Sequence, residues 1–217
     1  MSGTLPHDLT APLSIHWTDL DAAGPVEALA SRVSADERAR ADRFATATLR
    51  ARQLAAHAWK RDRLAAATGR APLDLVFETG PFGKPSLHGL AFNLSHSDHL
   101  AVLATAPSGD IGVDIERLHP MADTALLASH HFTVAEQAEL AALPPSAQLR
   151  AFLLGWTRKE ACMKACGCGL QVEPSAIETG LSATPRRVSF ETPHGRFTAE
   201  LRSLADRDDA VVSWAWG

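Results

Sequence analysis

The residues able to do chemistry in this chain gather in two short strings. In WTRKEACMKACGCG, Trp156 to Gly169, Glu160 and Lys164 stand four residues apart. On a helix that spacing puts a carboxylate and an amine on one face, with roughly 6 Å between their Cβ atoms. Trp156, one turn earlier, belongs to the same stripe. In DIGVDIE, Asp110 to Glu116, the apolar Ile111, Val113 and Ile115 alternate with Asp114 and Glu116. A strand there aims both carboxylates the same way. Three carboxylates without a thiol or imidazole beside them suit a hard cation. Mg2+, which keeps waters and takes its remaining ligands from substrate phosphates, suits best. Each string alone also has a plainer reading: a surface ion pair above a core tryptophan, and the D-x-E pair that many exposed strands carry.

The elements that must position these residues follow from capping signals and periodicity. Leu13 to Trp17 alternates and reads as a short strand. Ser34 with Glu37 forms a capping box opening a helix through about Phe44. A long helix runs from about Thr48 to Ala67, closed by Gly69. Leu73 to Glu78 is a strand candidate, followed by the turn-rich Thr79 to Pro85. Ala91 to Ser95 and Leu100 to Ala106 read as strands joined by the polar turn His96-Ser97-Asp98. A similar order then begins again. The strand from Asp110 to Glu116 precedes a second capping box, Thr133 with Glu136, which opens a helix through about Leu143. A long helix extends from about Pro145 to Ala165 and stops at Gly167. Strands are expected at Arg186 to Glu191, Arg196 to Ser203 and Ala210 to Trp216, with Pro193-His194-Gly195 turning between the first two. Two passes of strand, helices, long helix and strands, each of about 105 residues, predict a duplicated α+β unit. Its halves would be residues 1–106 and 107–217, each a small, mostly antiparallel sheet on a long helix, with the site in the cleft between them.

Other residues have two readings each. Ser95 and His96, at the end of Phe92-Asn-Leu-Ser-His96, can donate to a phosphate or can close a polar turn. Gly83-Lys84-Pro85 can present a lysine to a nucleotide or can be only a turn, and Arg40 is one arginine among many. Cys162, Cys166 and Cys168 lack a fourth ligand at zinc spacing and read as core or helix-end thiols. His130 and His131 read as a surface pair, and Trp156 as core that also positions Glu160.

Composition sets the class. With 217 residues, 46% hydrophobic and 21% charged, the chain reads as a soluble globular protein able to bury a real core. No apolar run approaches the roughly 20 residues of a membrane span, and MSGTLPHDLT does not read as a signal peptide. Three crowded cysteines make no disulfide framework, so a cytoplasmic protein is expected. Arg32 to Arg70 holds ten Lys or Arg against four acids, and Pro107 to Leu143 one base against six. A basic section facing an acidic one suggests a ligand with phosphates at one end and a metal at the other. A solvated arginine-rich helix face is the alternative.

Taken together, GKP (Gly83-Lys84-Pro85), FNLSH (Phe92 to His96), GVDIE (Gly112 to Glu116) and WTRKEACMK (Trp156 to Lys164) occur in an order and spacing that resembles the surfactin-synthetase-activating type of 4′-phosphopantetheinyl transferases. The resemblance runs from the segment around Arg40 to Gly169-Leu170. It implies two similar α+β halves in one chain, coenzyme A as co-substrate and a serine of an apo acyl or peptidyl carrier protein as acceptor. By the same resemblance Asp114, Glu116 and Glu160 are the Mg2+ ligands, completed by the pyrophosphate of coenzyme A, and Lys164 touches the phosphates. Arg40, Lys84, Ser95 and His96 hold the adenosine phosphate end, with Pro85 and Asn93 shaping those contacts. Gln53, Glu37 and Cys168 depart from the pattern at positions where relatives carry a hydroxyl, a second base and a lysine.

The implied reaction sets physical demands. A carrier serine must lose its proton and attack the phosphorus bearing the pantetheine, releasing adenosine 3′,5′-bisphosphate. Lys164 can stabilise the growing charge, and Glu160 can act as base, directly or through a metal-bound water. A coenzyme A or carrier-protein binding module without catalysis, and a Mg2+-dependent phosphohydrolase, are the competing readings. Carriers are generally acidic, and Arg150 and Arg158 flank the helix, but this does not select one carrier. A monomer is expected, with neither nucleic acid nor membrane as partner.

Overall fold

Alternating runs become strands and alanine-rich runs helices in a computed structural model of the chain, which describes Gly3–Thr4, residues 13–204 and 207–217. Most of the N-terminal stretch read for a signal peptide lies outside these residues. The first sheet has the order β1-β2-β6-β5, from Gly3–Thr4 (β1), Ser14–Asp19 (β2), Ala91–Ser97 (β5) and Leu100–Ala106 (β6). Three helices precede its last two strands: Val26–Ala30 (α1), Ala35–Ala41 (α2) and the 22-residue Ala47–Thr68 (α3). Glu78–Thr79 (β3) and Pro85–Ser86 (β4) form a separate two-stranded hairpin. The second sheet has the order β7-β10-β9-β8, from Ile111–Arg117 (β7), Arg186–Thr192 (β8), Gly195–Leu204 (β9) and Ala210–Trp216 (β10). Thr124–His131 (α4), Val134–Ala142 (α5) and the 22-residue Pro145–Cys166 (α6) come after β7. All pairings within the sheets are antiparallel, which with the helices makes the mixed α+β class expected. No helix of the described residues is long and apolar enough to cross a membrane.

Both long helices end as their sequences dictate. Gly69 and Gly167 adopt left-handed backbone, each with φ +69°, and each donates its N–H to a carbonyl four residues back, of Ala65 and of Met163. Both capping boxes form, and both box glutamates do more than cap. Glu37 is buried and also accepts from Lys60 Nζ (2.8 Å) and Arg61 Nε (2.6 Å), on α3. Glu136 is buried and pairs with Lys159 Nζ (2.6 Å) on α6. Lys60 follows Glu37 by 23 residues, and Lys159 follows Glu136 by 23. Burying a carboxylate costs several kcal/mol unless it is paired and hydrogen-bonded. Each pair therefore locks a short helix to the long one behind it.

Several expectations need correction. Leu73 to Glu78 is not a strand except at Glu78, where β3 begins. Pro72–Asp74 forms a single 3-10 turn, and Arg61 Nη1 takes the carbonyls of Pro72 (2.6 Å) and Leu75 (3.2 Å), so the backbone is satisfied by a side chain and not by a ladder. The first helix stops at Ala41, where i to i+3 bonds from Arg43 and Phe44 tighten the chain. His96 and Ser97 belong to β5, paired with Ala101 and Leu100; the turn is Asp98-His99, with Asp98 at φ +56°. Helices α1 and α4 had no clear signal in the sequence.

A core shared between the sheets joins them. Ile15, Val102 and Ala104 of the first pack with Ile111, Val113, Ile115 and Val212 of the second.

Candidate active site

The site begins with a glycine. Gly112 shares its strand face with Asp114 and Glu116, and a Cβ there would collide with the Ala161 carbonyl oxygen and the Ala165 backbone nitrogen. Its bare backbone lets α6 lie directly on β7. The helix then carries Glu160 and Lys164 past the two carboxylates that follow Gly112. The sequence quoted Gly112 only as a motif letter; the signal available was a glycine inside an otherwise β-branched run.

Lys164 Nζ donates to Asp114 Oδ1 (2.6 Å) and to Ser95 Oγ (2.9 Å). Ser95 Oγ in turn donates to Asp114 Oδ1 (2.7 Å). Three of the expected site residues therefore touch one another, from three elements. Asp114 is 4% exposed, and its second oxygen, Oδ2, is buried without a hydrogen-bond partner among the described residues. Glu116 and Glu160 are half-buried beside it. Burial, with the nearby Asp114 charge, holds both carboxyls above the usual range, and Lys164 pulls the other way. One ammonium thus faces three carboxylates. Among the described residues no group of three His, Cys, Asp or Glu side chains converges as it stands to hold a metal ion. An orphaned buried oxygen and two carboxyls raised by burial and then by a like charge are nonetheless what a hard divalent cation relieves, and the all-oxygen donor set fits Mg2+.

A cavity of about 280 Å3 opens at this point, and both sheet units line it: Lys84, Pro85 and Asn93 from one, Glu160, Lys164 and Gly167 from the other. Lys84 does not point freely into it. Its Nζ donates to the Ala165 carbonyl (2.8 Å), bridging to the end of α6, and burial lowers its pKa while Asp110 partly offsets this. Asn93 is buried, and its Oδ1 accepts from Val113 N (2.9 Å). His96 is exposed. Arg40, also exposed, lies within electrostatic reach of His57 and Lys60, as His57 and Lys164 do of His96. A row of basic side chains therefore runs from α2 toward Lys164, with burial holding the His57 and His96 imidazoles below their ordinary pKa and Lys60 paired with Glu37.

Much of the basic section is neutralised locally. Arg52 pairs with Asp21 (2.7 Å) and with Asp98, Arg50 with Asp42 (2.6 Å), and Arg32 with Asp62. The departures from the family pattern have structural partners as well: Gln53 Nε2 lies 2.8 Å from His57 Nε2, and His57 Nδ1 lies 3.0 Å from Glu37. Arg158 is not on an approach surface; it is buried and donates to Thr179 O (2.9 Å), Ser203 Oγ (3.0 Å) and Thr184 O (3.2 Å). Trp156 is half-buried rather than core. It meets His131 edge-on at 5.2 Å and, with Glu116 and Phe152, lines a second cavity of about 290 Å3. The cysteines are free thiols, with Cys162 buried and its pKa pushed up to about 12 by that burial.

Comparison with known proteins shows the family. The family model described as the 4′-phosphopantetheinyl transferase superfamily matches residues 110–215, the span that holds all three carboxylates and Lys164. The chain is 38% identical over 162 residues to the 4′-phosphopantetheinyl transferase HetI of Nostoc sp., covering 72% of this chain and 68% of that protein. It is 31% identical over 190 residues to a 4′-phosphopantetheinyl transferase of Bacillus subtilis, covering 86% and 83%. Against Sfp of Bacillus subtilis strain 168 it is 32% identical over 123 residues, 55% and 53% of the two chains.

Proposed function

The chain belongs to the 4′-phosphopantetheinyl transferase superfamily, and we propose that it moves the 4′-phosphopantetheine group of coenzyme A to a serine of an apo acyl or peptidyl carrier protein. Adenosine 3′,5′-bisphosphate leaves. The observation that carries this reading is the cluster of Asp114, Glu116, Glu160 and Lys164, of which Glu160 and Lys164 line a cavity shared by both sheet units.

Asp114, Glu116 and Glu160 would hold Mg2+, which when bound neutralises charge on the pyrophosphate of coenzyme A. Lys164, on a rigid helix, has Asp114 and Ser95 as its partners and can turn one N–H toward a phosphoryl oxygen, where it stabilises the charge of the transition state. Glu160 accepts the serine proton. Arg40, His96 and Lys84, with Pro85 and Asn93 as supports, bind the nucleotide end. Residues 1–106 and 107–217 act as two related halves; the repeated pairs Glu37–Lys60 and Glu136–Lys159 support that division. One chain supplies every group named, so a monomer suffices, and three free thiols fit a cytoplasmic protein.

The test is incubation with coenzyme A, Mg2+ and a panel of apo carrier proteins, followed by mass spectrometry. A gain of one phosphopantetheine on the carrier serine is expected. Coenzyme A cleavage with an unmodified carrier would replace this reading with a phosphohydrolase, and binding without either change would replace it with a binding module.

A further inference from the structure

Strands β5 and β7 lie side by side without sharing a sheet, and three side chains of β5 close the seam. Asn93 accepts from Val113 N, Ser95 donates to Asp114, and Ser97 Oγ donates to Glu116 Oε2 (2.7 Å). The partners advance together along both strands, so the strands run parallel and the alternate residues of β5 take the place of a backbone ladder. Ser97 is the best determined of the three. Its oxygen accepts from Arg117 N (3.2 Å), which leaves the hydroxyl hydrogen to point at Glu116. A serine fixed by backbone in this way sets the plane of the carboxylate it touches.

We propose that Ser97 is a positioning residue of this site: through its hydrogen bond it holds Glu116 in the orientation that binds a divalent cation. The proposal rests on the metal reading of Asp114, Glu116 and Glu160 given above. Among the described residues Ser97 makes no hydrogen bond to Lys164 or Asp114; besides the Arg117 backbone that fixes it, its hydroxyl meets only Glu116. Partners that orient metal ligands change affinity by about 10- to 100-fold when removed. At a half-buried position with one such bond, the lower end is expected.

Mn2+ binding, followed through the paramagnetic resonance signal of the free ion with coenzyme A present, tests this without requiring turnover. Ser97→Ala should bind Mn2+ about tenfold more weakly than the unaltered chain, with an unchanged melting temperature in EDTA. Ser97→Thr keeps the hydroxyl and suits a strand, and should restore binding to within about twofold. Ser97→Ala binding like the unaltered chain, or Ser97→Thr binding as weakly as Ser97→Ala, would overturn the proposal. So would an unaltered chain that binds no Mn2+. Weakened binding in a chain that transfers nothing to any carrier would instead leave Ser97 in place and remove the transferase reading.

Discussion

The segment before residue 107 and the segment after it contain the same polar device, put to different use. In each, a capping-box glutamate is buried and meets a lysine 23 residues on, in the middle of a 22-residue helix. The residues next to those lysines differ. Arg61 follows Lys60, joins it on Glu37, and ties down the turn at Pro72 and Leu75. Glu160 follows Lys159 and finds no cation of its own, only Lys164 held by Asp114 and the charges of Asp114 and Glu116. One segment gives its buried acid two cations. The other keeps a surplus, and that surplus is the chemistry.

The comparison breaks most visibly at neighbouring positions. Glu160→Gln should lower carrier modification by about 10²- to 10⁴-fold, the range for loss of a general base, with circular dichroism unchanged. Turnover near that of the unaltered chain would remove Glu160 from the reaction. Glu136→Gln should do the opposite. It strands the buried Lys159 and is expected to cost about 3–5 kcal/mol in urea unfolding, with loss of activity only in proportion to loss of folded protein. Gly112→Ala, which forces α6 off β7, should cost about 1–3 kcal/mol and separate Lys164 from Asp114, so transfer falls more than stability does.

The two kinds of carboxylate also answer pH with opposite sign. Glu136 has its pKa lowered by burial overcome through Lys159 and backbone donors. Its contribution is present above its ordinary value of 4.5 and is lost as pH falls through the lowered one. Glu116 and Glu160 have raised values. Without a cation they favour folding more as pH falls from their raised values toward 4.5. In EDTA the melting temperature of the unaltered chain should therefore gain more on mild acidification than that of Glu160→Gln. Equal gains would deny the carboxylate surplus. The smallest effect is expected of Lys84→Ala. Its ammonium already caps Ala165, so it should raise KM for coenzyme A severalfold with kcat within about twofold.

The sequence carried the site's long-range logic better than its local contacts. Alternation in DIGVDIE and the i,i+4 spacing of Glu160 and Lys164 placed the right faces, because strand and helix periods are set by backbone geometry alone. Both capping boxes and both glycine stops were legible for the same reason. Ser97 was hidden because His96-Ser97-Asp98 has the composition of a turn, although continuing the alternation of Asn93 and Ser95 would have reached it. Leu73 to Glu78 misled because no strand pattern announces that an arginine elsewhere will take its carbonyls. Glu37 read as a departure from a binding pattern, when its partners lie 23 and 24 residues away on another helix.

The seam between β5 and β7 bears on how the protein keeps to itself. Each strand is the end of its sheet, and an unpaired end is an invitation to a foreign strand. By turning these two ends toward each other, the fold leaves β8, which opens with exposed Arg186 and Arg187, as the outer edge of the second sheet. A charged edge is a poor template for accretion. The contact that orients a carboxylate therefore also conceals two seven-residue sticky margins of the molecule.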